Sequence, residues 1–345
     1  MSKSRQEYFF LNHQGKCLPP NWSQVRELDL TEKPCMLVPD NNVCIHVSDF
    51  NISKKQNETK RIRARNFLNY AFKSNITVNP TWGLLERASK PGTLNLNIDK
   101  LNDFEDAFWR QMNHYSDNRT ISSISKSADI LKSVLYPLYA YLLKIKLILL
   151  KREASSKNAE KSLSELYDFI EEIGIYLAIP WQFAVAVFGG HNKLNKFIKP
   201  DKKKKDIFRA IWGAAWDLFY LQTVHEYNGT REIKETYPQY IFATDDECCA
   251  SIGKTLKVVA AIDYGDVIYN QTLINHDFPH WKQKDSFLLE MFQEINKGTW
   301  KRVIRRNNLS EEDFQLELDT IINKSSQQIS ELTQEIKAVT KKGFG

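Results

Sequence analysis

A change of periodicity along the chain constrains its fold more than any other feature. From about Asp99 to Phe197 apolar residues recur at helical spacing with few strand signals, whereas the flanking blocks alternate short apolar runs with helical ones. In this middle third Phe104, Phe108 and Met112 share one face, Leu131, Leu135, Leu138, Leu142 and Ile145 a second, and Leu163, Leu166, Ile170, Ile173 and Leu177 a third. Alternating strands and helices must bury one sheet under helices, so the chain reads as an α/β core interrupted by a helical bundle. Its 345 residues leave room for two domains, or for one domain with an insertion.

In the first flank, residues 35–38 read as a buried strand, 60–71 as a helix and 75–78 as a short strand. Pro80 opens a helix carrying Trp82, Leu85 and Glu86, which Pro91-Gly92 ends. Past Gly189-Gly190 and the run Lys202 to Lys205, residues 206–227 read as a helix, 240–243 as a strand, 246–256 as a helix and 258–262 as the next strand. From about Asp285 the tail is helical. Its Ile321, Ile322, Ile329, Leu332, Ile336 and Val339 recur at loose heptad spacing that suits packing on the body or on a partner helix. Residues 1–32 are polar with scattered aromatics and remain unassigned.

Acids stand at the ends of these elements. Asp40 follows Met36-Leu37-Val38-Pro39, and Asp245-Asp246 follow the apolar run 240–243 and Thr244, while Glu86 and Asp217 lie on helical runs. Ligands of open α/β sheets bind at the carboxyl ends of strands, and a hard cation needs oxygen ligands, often one or two carboxylates. Each acid also has a plainer role. Asp40 with Asn41 suits a turn, and Asp245-Asp246 suit a helix N-cap. An arginine would satisfy Glu86, whereas Asp217, among Trp212, Trp216, Leu218 and Phe219, needs a partner or a metal.

The remaining chemistry is weaker. Five cysteines (Cys17, Cys35, Cys44, Cys248, Cys249) form no metal-binding spacing or disulfide framework, which points to reduced thiols and a cytoplasmic location. The polar start of the chain carries no signal-peptide pattern. The apolar run 131–150 contains Pro137, Lys144 and Lys146 and reads as a buried helix rather than a membrane span. His276 and His280 flank Pro279 in a loop, and His46 reads as a packed side chain. A net charge of +6 leans towards an anionic partner. Lys60, Arg61, Arg63 and Arg65 after Lys54-Lys55, the run Lys202 to Lys205, and Lys301-Arg302 with Arg305-Arg306 are the basic clusters, each otherwise a solvated face.

Taken together, Leu37-Val38-Pro39-Asp40, Trp82-Gly83-Leu84-Leu85-Glu86, Ala215-Trp216-Asp217-Leu218 and Thr244-Asp245-Asp246 resemble, in order and setting, the acid-bearing segments of the PIN-domain nucleases. The resemblance covers residues 33–94 and 206–263. It implies a parallel sheet flanked by helices, with 95–205 as a helical insertion and 264–345 as a helical C-terminal extension. It implies Asp40, Glu86, Asp217 and Asp246 as catalytic acids converging in one cleft and holding Mg²⁺ or Mn²⁺, with Asp245 orienting a water or a second metal. The 131 positions between Glu86 and Asp217, and Pro39 at a strand end, depart from compact members. The expected activity is endoribonuclease cleavage, in a toxin, defence or RNA-processing role. RNA is preferred over DNA, Lys60, Arg61, Arg63 and Arg65 meet phosphates, and the helical regions are open to an inhibitor or partner protein. Cleavage of single-stranded or branched DNA, a non-cleaving RNA- or protein-binding module of the same fold, and a phosphatase of another α/β family are the alternatives.

Overall fold

The computed structural model describes residues 8–11, 35–51, 57–73, 76–112, 121–191, 194, 197–198, 207–233, 239–263, 268–274, 277–306 and 308–342. Lys54-Lys55, the run Lys202 to Lys205, His276 and most of residues 1–32 lie outside them. The protein is α/β, with a small sheet and eleven α-helices among the described residues. The elements run β1 (Phe9–Leu11), β2 (Cys35–Pro39), α1 (Asn41–Ser48), α2 (Glu58–Lys73), β3 (Thr77–Val78), α3 (Thr81–Ala88) and α4 (Ile98–Met112). Next come α5 (Ile121–Lys151), α6 (Ala159–Ile173), α7 (Ala178–Phe188), α8 (Ile207–Ile233), β4 (Gln239–Thr244) and α9 (Glu247–Thr255). β5 (Leu256–Asp263), β6 (Ile268–Ile274), a 3-10 turn (Pro279–Trp281), α10 (Asp285–Arg306) and α11 (Glu311–Lys342) complete the chain. Two compact units result, one of residues 1–126 with 220–261, the other of residues 127–219 with 262–345.

The first unit holds the four-stranded sheet, ordered β1-β4-β2-β3. β2 pairs in parallel with β4, from Cys35 opposite Gln239 to Pro39 opposite Ala243, and with β3 through Met36 and Leu37. Contrary to the expected parallel sheet, β1 joins antiparallel to β4, with Phe9 opposite Thr244 and Leu11 opposite Phe242, so the sheet is mixed. Three residues in a polar segment carry too little pattern to announce a strand. A second departure is that β5, expected as the next core strand, pairs with β6 in a separate two-stranded sheet, so the C-terminal stretch is not wholly helical.

Pro39 is tolerated at the end of β2 for a reason visible in the hydrogen bonds. Asp40 N–H donates to Ala243 O across β4, while Leu37 O accepts from Asn79 N–H on the β3 side. Strand groups alternate sides, so Pro39 turns its missing donor towards the β3 side, where the ladder has ended.

Aromatic stacking and one amide fix the latter part of α8 to β4. Tyr220 stacks on Phe242 with centroids 4.9 Å apart, and Tyr227 on Tyr240 at 4.5 Å. Asn228 exchanges two hydrogen bonds with the Tyr240 backbone, donating from Nδ2 at 2.8 Å and accepting at Oδ1 at 2.7 Å.

The second unit is helical around a core of Leu135, Leu142, Phe183, Phe188, Trp216 and Trp281. Trp281 Nε1 donates to Val185 O at 2.7 Å, the partner a buried indole requires. Residues 129–151 of α5 are long and apolar enough to cross a membrane, but 72% of that stretch is buried within the protein. There Lys144 pairs with Glu165 at 3.2 Å, and Glu165 also accepts from Arg152 at 2.6 Å.

Gly83 brings α3 close to the end of β2. A Cβ at this position would lie 2.6 Å from Cys44 Sγ, 2.9 Å from Pro39 O and 3.0 Å from the Asp40 carbonyl carbon. Two of these neighbours are backbone and cannot rotate away. Gly83→Ala should therefore lower the urea-unfolding midpoint, because overpacking costs about 1–3 kcal/mol and outweighs the roughly 0.5–1 kcal/mol that alanine gains in a helix. An unchanged or raised midpoint would show that α3 does not approach β2 this closely.

Candidate active site

Parallel pairing brings three strand ends, and the starts of three helices, to one edge of the sheet. β2 leads through Asp40 into α1, β3 through Asn79 and Pro80 into α3, and β4 through Asp245 and Asp246 into α9. Helix N-termini favour negative charge, so this edge suits acids and anions.

Asp40 lies at the centre. It is 2% exposed, and its carboxylate caps α1 by accepting the Val43 N–H at Oδ1, 2.7 Å away. Oδ2 accepts the Thr244 hydroxyl at 2.6 Å and, more weakly, the Asp245 N–H at 3.4 Å. Thr244 Oγ1 in turn accepts the Asp246 N–H at 3.0 Å. The turn role expected for Asp40 is therefore a helix cap that also links two strand ends. Burial pushes its carboxyl up to about 7, opposed by the Thr244 and Val43 hydrogen bonds and reinforced by the charge of Asp245.

Glu86 stands one helical turn after Gly83, so the face that touches the end of β2 also carries this carboxylate towards it. The residue is half-buried, but its carboxyl end is enclosed. Burial, and then the charge of Asp40, push it up to about 8, against hydrogen bonds from Tyr220 and Asn41. Tyr220 OH donates to Oε2 at 3.0 Å. The partner is thus a tyrosine where an arginine is the plainer reading; the adjacent Arg87 covers the Phe104 ring at 3.8 Å. Asn41 Oδ1 is buried without a hydrogen-bond donor. The Cys44 thiol is pushed up by burial and by the charges of Asp40 and Glu86.

The other predicted residues are placed as follows. Asp245 forms an ion pair with Arg63, and both are largely buried. Asp246 Oδ1 caps α9 by accepting the N–H groups of Cys248 at 2.6 Å and Cys249 at 3.0 Å. Asp217 is half-buried, three residues before Tyr220 on α8 and in the stretch of that helix belonging to the second unit. On α2, Lys60 and Arg61 are half-buried and Arg65 is exposed. His46 is buried and accepts or donates at Nδ1 with Tyr8 OH, 3.0 Å away. Burial and the Lys60 charge lower it to about 4, so it is neutral at pH 7.

The structure therefore brings Asp40, Glu86, Asp245 and the backbone of Asp246 to one edge, with Asp40 and Glu86 electrostatically coupled. Tyr220, Thr244, Asn41 and Tyr8 join them. From the sequence, Thr244 stands only in the turn that closes the site, and Tyr220, Asn41 and Tyr8 have no part in the chemistry; the spacing of Tyr220 one turn after Asp217 is the signal available. Among the described residues no three His, Cys, Asp or Glu side chains gather closely enough to hold a metal ion. The donor chemistry of the smaller set nonetheless fits a hard cation: two enclosed carboxylates without a cationic partner, beside an orphaned amide oxygen.

The two raised values carry a sign for stability. A carboxyl that titrates higher folded than unfolded holds its proton more tightly when folded. Its contribution is then complete below the unfolded value near 4 and is lost as pH rises through the folded one. Without divalent metal, urea-unfolding stability should fall between about pH 5 and 8, and Asp40→Asn with Glu86→Gln should flatten that slope. An equal slope in the double variant would mean that other groups carry it.

In comparisons with protein-family models, with curated proteins and with solved structures, nothing matched the chain.

Proposed function

We propose that this protein is a divalent-metal-dependent phosphodiesterase of PIN-like fold, cleaving RNA in preference to DNA, with Asp40 and Glu86 as its principal metal-holding residues. The observation that carries the reading is the pair itself. Two carboxyls are enclosed at the carboxyl edge of parallel strands, and the charge of Asp40 raises the proton affinity of Glu86. Nearby charge of one sign, left uncompensated, is the arrangement a cation relieves. The RNA preference and the use of Mg²⁺ or Mn²⁺ come from the resemblance in the acid-bearing segments.

When bound, the metal supplies Lewis acidity and a water of lowered pKa. The protein supplies orientation. Val43 N–H and Thr244 fix the Asp40 carboxylate, and Tyr220 fixes that of Glu86. The N-termini of α1, α3 and α9 favour a phosphate at the same edge. Lys60, Arg61 and Arg65 add affinity for the backbone, while Arg63 is held by Asp245. Asp217 and Asp246 stand as further acids whose contribution single substitutions decide.

A second reading is a module of the same fold that binds RNA or protein without cutting. The missing third ligand among the described residues favours it, as do the cap role of Asp246 and the ion pair of Asp245.

Oligonucleotide cleavage with Mg²⁺ or Mn²⁺ separates the two readings. Asp40→Asn and Glu86→Gln should each slow RNA cleavage more than about a hundredfold, a barrier increase of roughly 3 kcal/mol, while RNA affinity stays nearly constant. Wild-type protein that binds RNA but cuts neither RNA nor DNA with either metal would establish the second reading. Metal binding should also displace the protons held by the pair. Calorimetry of Mn²⁺ binding at pH 7 in buffers of different ionisation enthalpy should therefore register proton release in the wild type, and none in the double variant.

A further inference from the structure

The second unit has a recess of its own. A cavity of about 420 Å³ lies among the segment 173–176 after α6, the latter half of α10 and the first part of α11. Four cations line it: Lys301, Arg302 and Arg305 from α10 and Lys324 from α11. Among the described residues the lining acids are Asp313 and Glu317.

The charges do not balance locally. Glu317 has a side chain 10% exposed and stands within ion-pair distance of three guanidinium groups, Arg306 at 2.8 Å, Arg305 at 3.7 Å and Arg302 at 3.8 Å. One carboxylate cannot neutralise both Arg305 and Arg306. Among the described residues Lys301 and Lys324 have no carboxylate partner, and both are exposed. Arg305 keeps 71% of its side chain exposed and meets Glu317 at a distance too long for a hydrogen bond. The plainer role, basic residues complementing the C-terminus of α10, accounts for Arg305 and Arg306 but not for Lys324, which comes from another helix.

The rest of the wall is suited to a ring. Tyr176 lines the cavity and packs so closely on Gly298 that no Cβ fits there. Its hydroxyl donates to Glu171 at 2.5 Å, which fixes the ring. Ile173, Ile175, Leu309 and Leu316 add apolar surface. A volume of about 420 Å³ is within the roughly 300–1,000 Å³ of small-molecule pockets, so there is room for a phosphate together with the group that bears it.

We propose that this recess binds a nucleotide, its phosphate held by Lys301, Arg305 and Lys324 and its base against the Tyr176 wall. Cationic side chains beside an aromatic surface are the elements that hold single nucleotide units. The nucleotide is either a free one or one unit of a single RNA strand. The proposal is independent of any cleavage activity.

Calorimetry on the full chain tests it, with inorganic phosphate, AMP, UMP and a twelve-nucleotide single-stranded RNA as probes. The variant combines Lys301→Gln, Arg305→Gln and Lys324→Gln, all at exposed positions, and its folding is checked by thermal melting. A control combines Lys100→Gln and Arg110→Gln, exposed cations on α4. A mononucleotide should bind the wild type more tightly than inorganic phosphate, lose at least tenfold in the triple variant and be unaffected in the control. If the site reads a strand, the RNA should bind more tightly than the mononucleotides. The triple variant should then flatten its dependence on log salt by about 0.7, the loss of one phosphate contact. If a free nucleotide is the ligand, the RNA should gain nothing over the mononucleotides. The proposal is overturned by no mononucleotide binding at millimolar concentration, by binding no tighter than inorganic phosphate, or by equal losses in variant and control.

Discussion

The carboxylate of Asp40 joins the carboxyl edge of the sheet to the helices that leave it. One oxygen caps α1, and the other accepts the hydroxyl of Thr244 at the end of the neighbouring parallel strand. An acid 2% exposed is costly to desolvate, and these hydrogen bonds offset that cost. The offset is incomplete, because the carboxyl still titrates near neutrality. The Thr244 hydroxyl serves two partners at once, donating to Asp40 and accepting from the Asp246 backbone. Entry into α1 and entry into α9 are thereby set by one connected group of polar atoms.

The second acid depends on the first through packing. α3 approaches the end of β2 because position 83 has no side chain, and Glu86 is on the face that this contact turns inward. Tyr220 reaches Glu86 from a ring stacked on Phe242, a strand residue. A glycine, a stacked tyrosine and a threonine thus hold two carboxyls in one enclosure. None of the three is itself acidic, and each limits how far the pair can relax away from mutual repulsion.

Local pattern carried much of this into the sequence. Helical spacing marks α4 to α7, and the short apolar runs mark β2 and β4 within a residue or two. Asp40 and Glu86 were visible because an acid directly after a strand, or on an otherwise apolar helix, is chemically conspicuous. What escaped depends on contacts between distant segments. β1 is three residues long, and its partner Thr244 is more than two hundred positions away. β6 lies within residues 264–345, the stretch assigned from sequence to a helical extension. The hydrogen bond between Tyr220 and Glu86 spans 134 positions, and no local spacing encodes it. Asp245 and Asp246 show the limit from the other side. Their sequence setting suits a ligand or a cap equally, and only the geometry reveals the Arg63 ion pair and the α9 cap.

The central claim is that Asp40 and Glu86 form one electrostatic unit at the sheet edge. Carbon-13 NMR of the two side-chain carboxyl carbons, titrated against pH without metal, tests this most directly. The account predicts midpoints near 7 for Asp40 and 8 for Glu86, with the Glu86 midpoint moving down when Asp40 is replaced by asparagine. Midpoints near 4 for both, or a Glu86 midpoint indifferent to Asp40→Asn, would contradict it.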